Sequence, residues 1–268
     1  MRGRWLAYLV LVIFTFVMIV PVYIMVKVSL SAPQDVMTQH PPYWIENFTW
    51  EHWSRMFESG NLWEPLRKSL TVATLTTLLG VVAAAPASYV ISRMGRKWKY
   101  TFVLGLLFTR MFPDVGIALP IAVNFIKWNL VDTDLGLILA HLIPNLPFLA
   151  WILVGTFETI PRDLEQAAYI DGASRLEALR KVVFPLAAPG IAVGALFVWL
   201  NSWNEFTYAL YLTVSERTLP LQTYYFINRG DWFQSASYSV LITIPVVIIT
   251  FFLQRYLKAG YLSGAVKG

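Results

Sequence analysis

The stretch from residue 160 to 185 holds the most ordered set of polar residues in the chain. It reads Ile160-Pro-Arg-Asp-Leu-Glu-Gln-Ala-Ala-Tyr-Ile-Asp-Gly-Ala-Ser-Arg-Leu-Glu-Ala-Leu-Arg-Lys-Val-Val-Phe-Pro185. Asp163 with Gln166, and Ser174 with Glu177, have the spacing of a capping box, in which the N-cap and N3 residues satisfy each other's backbone amides. Gly172, between them, can take the left-handed backbone that ends a helix. The pattern predicts two short helices meeting at a corner, the second leading to Pro185. Each cap is worth about 1 kcal/mol, enough to fix where so short a helix starts. Ala167 and Ala168 give the first helix a small face that can enter a groove on another protein at close range. A rigid corner tied through Pro185 to the next helix can convert a partner's movement into movement of that helix. The chemistry on offer is mechanical.

Covalent chemistry finds no support. The chain has no Cys, and its three histidines, His40, His52 and His141, are too scattered in sequence to suggest a metal cluster. No H-E-x-x-H, G-x-S-x-G or GxxxxGK[ST] pattern occurs, so the chain is not expected to be an enzyme, and any nucleotide must be hydrolysed on another polypeptide. Arg110 and Asp114 lie four apart in an apolar stretch and predict an intramembrane ion pair. A charge at bilayer centre costs roughly 3 kcal/mol on insertion scales and is usually paired. His141, near Pro144, reads as a packed helix residue rather than a proton relay.

The elements that must position these residues are set by composition. Of 268 residues, 57% are hydrophobic and 14% charged, with mean hydropathy +0.56. A soluble domain of this size is about 25% charged and could not hide so much apolar surface. Disordered and nucleic-acid-binding chains need more charge. The sequence describes an all-α, multi-span membrane protein. A crossing needs roughly 20 apolar residues, and six segments qualify, at about 6–28, 69–91, 100–126, 135–156, 186–210 and 238–256. The first exceeds the apolar run of a secretory signal and lacks a clear cleavage site, so it is expected to be retained. The second, rich in Ala, Thr and Gly around Pro86, suits the bundle interior. Pro113 and Pro120 are expected to interrupt the third span, and Pro144 and Pro147 the fourth, as happens where helices line a cavity.

Lys and Arg set orientation. With the N-terminus inside, thirteen of the 21 lie on the cytoplasmic side, including Arg93, Arg96, Lys97, Lys99, Arg162, Arg175, Arg180 and Lys181. Both termini are therefore expected to be cytoplasmic. The 159–185 loop then lies in the cytoplasm between spans four and five, and a Trp-bearing segment at 31–67 lies outside. That segment, with Trp44, Trp50, Trp53 and Trp63, reads either as an external cap or as a surface receiving a solute-binding protein. The tail at 257–268 carries Gly260, Gly264 and Gly268, which argue against a long helix there.

At this point the loop resembles the signature of ABC importer permeases, in which Glu-Ala-Ala is followed at fixed spacing by Gly and then a hydrophobic-Pro pair. Here the register is Gln166-Ala167-Ala168, Gly172, Val182, Phe184 and Pro185. Asp171-Gly172-Ala173-Ser174 and the tail Tyr261–Gly268 are similar to the carbohydrate-uptake branch, in particular the shorter six-span permease of maltose-type importers. The resemblance implies a permease bundle whose loop residues Glu165, Gln166, Ala167, Ala168, Asp171, Gly172, Ala173 and Pro185 couple to a separate ATPase. Gln166 departs from the family's usual Glu, which would leave a neutral hydrogen bond in place of a charge-assisted one, and Glu165 lies about 100° away on the helix. The implied partners are a second permease subunit, two ATPase subunits that hold ATP and Mg, an extracytoplasmic solute-binding protein, membrane lipid and a sugar. This chain would itself bind no cofactor and no nucleic acid. The implied location is a prokaryotic cytoplasmic (inner) membrane, and the implied tail position lies between the ATPases.

A transport path implied in this way directs attention to polar residues within the spans: Asn124, Asn145, Asn201, Asn204, Glu205 and Tyr208. Amides and carboxylates suit vicinal hydroxyls, and Trp199 and Trp203 offer aromatic faces. Asn201, Asn204, Glu205 and Tyr208 would share one face of a continuous helix, with interhelical bonding as the alternative role. The rival functions are a permease for a non-sugar solute on the same engine and a transporter driven by an ion gradient, which should carry an inverted repeat.

Overall fold

A computed structural model describes residues 2–264 and shows a helical protein with a single isolated antiparallel bridge, Ser31–Phe48. In chain order the helices are α1 (Arg2–Leu30), α2 (Pro33–Val36), α3 (Glu51–Glu58), α4 (Trp63–Arg93), α5 (Arg96–Thr109), α6 (Asp114–Lys127), α7 (Asp134–Glu158), α8 (Arg162–Ile170), α9 (Arg175–Ala178), α10 (Phe184–Trp203), α11 (Thr207–Leu212), α12 (Leu219–Asn228) and α13 (Trp232–Gly264). Among the described residues, five stretches are long and apolar enough to cross a membrane, six if the bent pair α5 and α6 is counted as one. The chain divides into two compact units, Met1–Leu66 with Arg217–Val247, and Arg67–Glu216 with Ile248–Gly268.

Three expected spans differ in form. The third is two 14-residue helices bent by 83°. Pro113 caps α6 with extended backbone and turns the chain, as the residue's fixed φ and missing N–H favour, whereas Pro120 sits inside α6 without ending it. The fourth is not interrupted: α7 runs through Pro144 and Pro147 for 25 residues. The fifth ends at Trp203, and residues 204–206 separate it from α11. The helix expected to stop before the tail continues as α13 to Gly264, since a glycine weakens a helix by only about 1 kcal/mol. The rest of the tail, 265–268, lies outside the described residues.

In the first unit, α1 is exposed along nearly its whole length, as its apolar sequence predicts for a lipid-facing helix. The segment after it is ordered by its own polar bonds. The Asp35 carboxylate accepts the amide of Asn47 at 2.9 Å and its side-chain NH2 at 3.0 Å, and Ala32 N–H donates to the Asn47 carbonyl. His52, 2% exposed, meets the Ser31 carbonyl at 3.1 Å and stacks on Phe233 at 4.6 Å, while Gln234 donates to the His52 carbonyl. Of the four tryptophans expected to act together, Trp53 is buried and Trp44, Trp50 and Trp63 are exposed.

In the second unit the most enclosed span is α7, ahead of the small-residue helix α4. Its core joins Leu149, Leu153 and Phe157 of α7 to Ala84 and Ala85 of α4 and Ala187 and Val198 of α10. Gly190 and Gly194 of α10 make this approach close. A Cβ on Gly190 would lie 2.3 Å from Thr156 Cγ2, and one on Gly194 would lie 2.7 Å from Leu149 Cδ1. Small residues four apart let helices meet where lipid supplies no hydrophobic force. At the N-terminal end of α7, Thr133 caps the helix by accepting from Gly136 N–H at 3.0 Å. Beside it Asp132 takes the left-handed region (φ 64°), which Asp tolerates better than most residues. Burial would raise its carboxyl, but the Ser215 hydroxyl and the amides of Val214, Ser215 and Glu216 outweigh that and hold it near 2. Lys68, fully buried, lies 3.3 Å from Glu216 and 3.8 Å from Asp134 at the same end.

Candidate functional site

The corner predicted between the fourth and fifth spans is present, and its first helix starts differently from expectation. Pro161 is the N-cap of α8 and offers no side-chain cap, so the Asp163–Gln166 box does not form. Proline sets φ near −60° and starts the helix two residues early. Asp163 is left inside the first turn, where its charge still complements the positive helix end. The other end follows prediction. Gly172 has φ +88°, and Ala173 N–H donates to the Ala168 carbonyl at 2.9 Å, the closing bond of a Schellman motif. Nothing lies within 4 Å of a Cβ built on Gly172, so backbone conformation rather than crowding demands glycine there.

The Ser174–Glu177 box is complete. Ser174 Oγ accepts from Glu177 N–H at 3.3 Å, and Glu177 Oε2 accepts from Ser174 N–H at 3.0 Å. The Ser174 amide, then its hydroxyl and Lys181, hold the Glu177 carboxyl near 2. From α9 the chain passes through a π-helical turn, Leu179–Val183, directly into α10, with Phe184 N–H bonded to the Leu179 carbonyl. Pro185 follows the π-helical turn directly, where the register of the backbone bonds has already shifted. From Arg175 to Trp203 the chain is therefore one helical rod of 29 residues.

This corner displays apolar side chains. Ile170 is 86% exposed and Leu176 72%, with Leu164 also exposed. Gln166, Ala167, Asp171, Gly172 and Pro185 are exposed, and Ala168 and Ala173 half-buried. Glu165 is different: it is 6% exposed and faces the end of α4. Its Oε2 accepts from Tyr89 OH at 2.7 Å, and its Oε1 accepts from Arg93 Nε at 2.8 Å and from Arg93 Nη2. The same guanidinium donates to the carbonyls of Phe157 (3.0 Å) and Ile160 (3.3 Å), and Arg162 donates to the Arg93 carbonyl at 3.0 Å. Removing one partner of a buried pair costs about 3–5 kcal/mol, because the other charge is left uncompensated. Sequence reading missed this joint, since nothing local links residue 93 to residue 165. A groove of about 630 Å³ opens beside it, lined by Val90, Arg162, Gln166 and Leu179 among others.

The polar residues expected along a solute path separate into two groups. Asn124, Asn201 and Asn204 are exposed, and Asn124 and Asn204 bond only to carbonyls one turn back, of Pro120 and Leu200. Glu205, Tyr208 and Asn145 belong to a buried cluster around His141. His141, 1% exposed, meets Ser202 Oγ at 2.7 Å through Nδ1 and lies 3.1 Å from Glu205 Oε2 through Nε2. Glu205 accepts the amides of Tyr208 (2.7 Å) and Ala209 (3.2 Å), so it caps α11. Asn145 donates to the His141 carbonyl at 2.8 Å, and its own carbonyl oxygen has no partner in the structure. The break at 204–206 removes the shared face expected for Asn201, Asn204, Glu205 and Tyr208. Trp203 is buried and stacks on half-buried Trp199 at 5.0 Å, so one of its faces is covered by its neighbour.

Arg110 and Asp114 do not pair with each other. The turn between α5 and α6 directs Arg110 Nη1 to the Pro144 carbonyl at 2.8 Å and its guanidinium over the Phe148 ring, while Asp114 accepts from Tyr208 OH at 3.3 Å. Both line a cavity of about 220 Å³ at the bend. No group of three or more His, Cys, Asp or Glu that could hold a metal occurs among the described residues.

Residues 76–262 match the family described as "Binding-protein-dependent transport system inner membrane component". The chain belongs to this family of inner-membrane permease components. It is 35% identical over 230 residues, 82% of each chain, to the trehalose/maltose transport system permease protein MalG of Thermococcus litoralis. It is 28% identical over 255 residues, 94% of this chain and 92% of the other, to the diacetylchitobiose uptake system permease protein DasC of Streptomyces coelicolor. Its fold is similar to that of a chain in the crystal structure of a bacterial ABC transporter involved in the import of alginate. That match has a TM-score of 0.80 and 22% identity over 95% of this chain and 96% of that one.

Proposed function

We propose that this chain is a translocating subunit of an ATP-driven importer of sugars, most naturally oligosaccharides, and that its α8–α9 corner is the seat of a separate ATPase. The observation that carries the reading is the corner itself. Exposed Ile170 and Leu164 stand on α8 and exposed Leu176 on α9, which is capped by Ser174 and continues without a break into the membrane-spanning α10. Apolar side chains held in water on a rigid support mark a surface that a partner covers, and a chain without a phosphate loop needs another polypeptide to hydrolyse ATP. Relatives named for trehalose, maltose and diacetylchitobiose favour a sugar as cargo.

In this reading both termini and the corner face the cytoplasm, as the Lys and Arg distribution favours. A second permease completes the pathway, two ATPases bind ATP and Mg beneath, and a solute-binding protein delivers the sugar outside. Closure of the ATPases pushes residues 166–173, the rod from Arg175 swings, and α7 moves with it through the close contact at Gly190. The test is ATP-driven sugar uptake by the whole transporter in vesicles without an ion gradient, comparing wild type with Ala168→Asp and Gly172→Asp. Loss of uptake with the spans still folded supports the reading. Full uptake by both variants would falsify it, and uptake that needs a gradient but no ATP would replace it with a secondary transporter.

A further inference from the structure

We propose that Arg93 and Glu165 form a second output of the corner, coupling motion of α8 to α4 as the covalent connection couples it to α10. The inference rests on the proposed seating of an ATPase at α8–α9 and assigns to Arg93 and Glu165 the role of positioning residues. Three elements converge on one guanidinium: the Glu165 carboxylate of α8, the Phe157 and Ile160 carbonyls at and just beyond the end of α7, and the α4 backbone to which Arg93 belongs. Tyr89, one turn earlier on α4, supplies a second donor to Glu165, and Arg162 returns a bond from the start of α8 to the Arg93 carbonyl. The two side chains are 16% and 8% exposed, so water and salt screen the pair weakly.

A staple that served only to hold the fold could be apolar, because replacing a buried ion pair by well-packed hydrophobic residues is often neutral or stabilising. A planar guanidinium forked onto a carboxylate and two carbonyls does something more specific: it fixes rotation as well as distance. Glu165 faces α4 while Ile170 and Leu176 face outward, so a push received on the outer side is delivered on the inner side to a helix distant in sequence. The corner thus drives two helices. Through α10 the movement is carried by the chain, and through α4 it is carried by this pair.

The test uses the assembled transporter and the double variant Arg93→Met with Glu165→Leu, which keeps the apolar bulk and removes the hydrogen bonds. Because the chain has no Cys, spin labels at Val90→Cys on α4 and Asp163→Cys on α8 report one distance, with and without nucleotide. The expected result is an unchanged distance on ATP binding in the Arg93/Glu165 parent, a nucleotide-dependent shift in the double variant, and a fall of about tenfold in sugar moved per ATP hydrolysed. A double variant with wild-type sugar per ATP, or a parent whose label distance changes with nucleotide, overturns the second output. Failure of the ATPases to co-purify with the parent would instead remove the docking reading beneath it, an outcome visible before any distance is measured.

Discussion

The α8–α9 corner and the α7/α10/α11 joint around His141 both use polar residues where a helix ends and another begins, yet they are built in opposite senses. At the corner, the turn itself is closed locally: Schellman closure at Gly172 and a capping box at Ser174 use neighbours in sequence, Glu165 and Arg162 tie only the inner side to α4, and the apolar side chains point away from the fold. At the joint, Ser202 and Glu205 converge on one buried imidazole while Asn145 donates to the His141 carbonyl, and Glu205 is at once a cap and the imidazole's carboxylate neighbour. The first can be gripped without being dismantled. The second holds three helices to each other and has little surface to offer. The corner closes its turn within its own short segment and ties one side of it to α4, leaving the outer face open, whereas the joint is stitched together across the chain.

Substitutions at four positions would break or sharpen that contrast, and the largest effect is expected at the joint. Glu205→Ala removes the cap of α11 and the partner of His141 together and should destabilise the protein by about 2–4 kcal/mol. A thermal-unfolding midpoint in detergent measures this, and an unchanged midpoint would mean that the joint is not structural. Asp132→Asn asks whether a long-range hub outside the spans behaves in the same way. The variant keeps the left-handed backbone but loses the charge, and should cost about 1–2 kcal/mol at neutral pH. The folded carboxyl is depressed from 3.8 to about 2. Its contribution is therefore fully present above the unfolded pKa and fades as pH falls through 3.8 toward 2. Wild type and variant should converge across that interval, and a gap that stayed constant would place the effect elsewhere.

At the corner the prediction changes character. Gly172→Val forces a β-branched residue to φ +88° and should strain the backbone by about 1–2 kcal/mol, with Gly172→Asn milder. The global midpoint should move little while ATP-driven uptake falls by about tenfold or more. A large midpoint shift with normal uptake would reverse the contrast drawn above. The smallest effect belongs to Ser174→Ala, about 1 kcal/mol, confined to the start of α9. Hydrogen exchange of the amides near Glu177 should report it while the spans remain protected.

The same contrast explains what the sequence made legible. Helix ends announced by caps were readable: Gly172 and the Ser174–Glu177 box stand where the spacing put them, because each acts over three to five residues. The Asp163–Gln166 spacing misled because Pro161, a stronger starter, lies two residues upstream. The apolar spans were readable as spans, but Pro113 bends the chain sharply while Pro144 and Pro147 lie within one helix. A proline's effect depends on what can donate to the freed carbonyl or allow the turn, and that information is tertiary. Arg110 and Asp114 had the spacing of a pair and went to other partners once the helix between them ended. The Arg93–Glu165 joint had no local signal. The four-residue spacing of Gly190 and Gly194 was present in the sequence and marks the contact with α7.

That glycine contact limits how the proposed swing can occur. Where most helix pairs meet through two layers of side chains, which deform and re-rotamerise, α10 presents bare backbone to Thr156 and Leu149. One layer of side chains rather than two separates the rods at that point, so less of a tilt is absorbed there and more of it displaces the other helix. The proposed stroke should therefore pass to α7 with least loss at Gly190 and Gly194, and with more slippage where bulkier residues separate the axes.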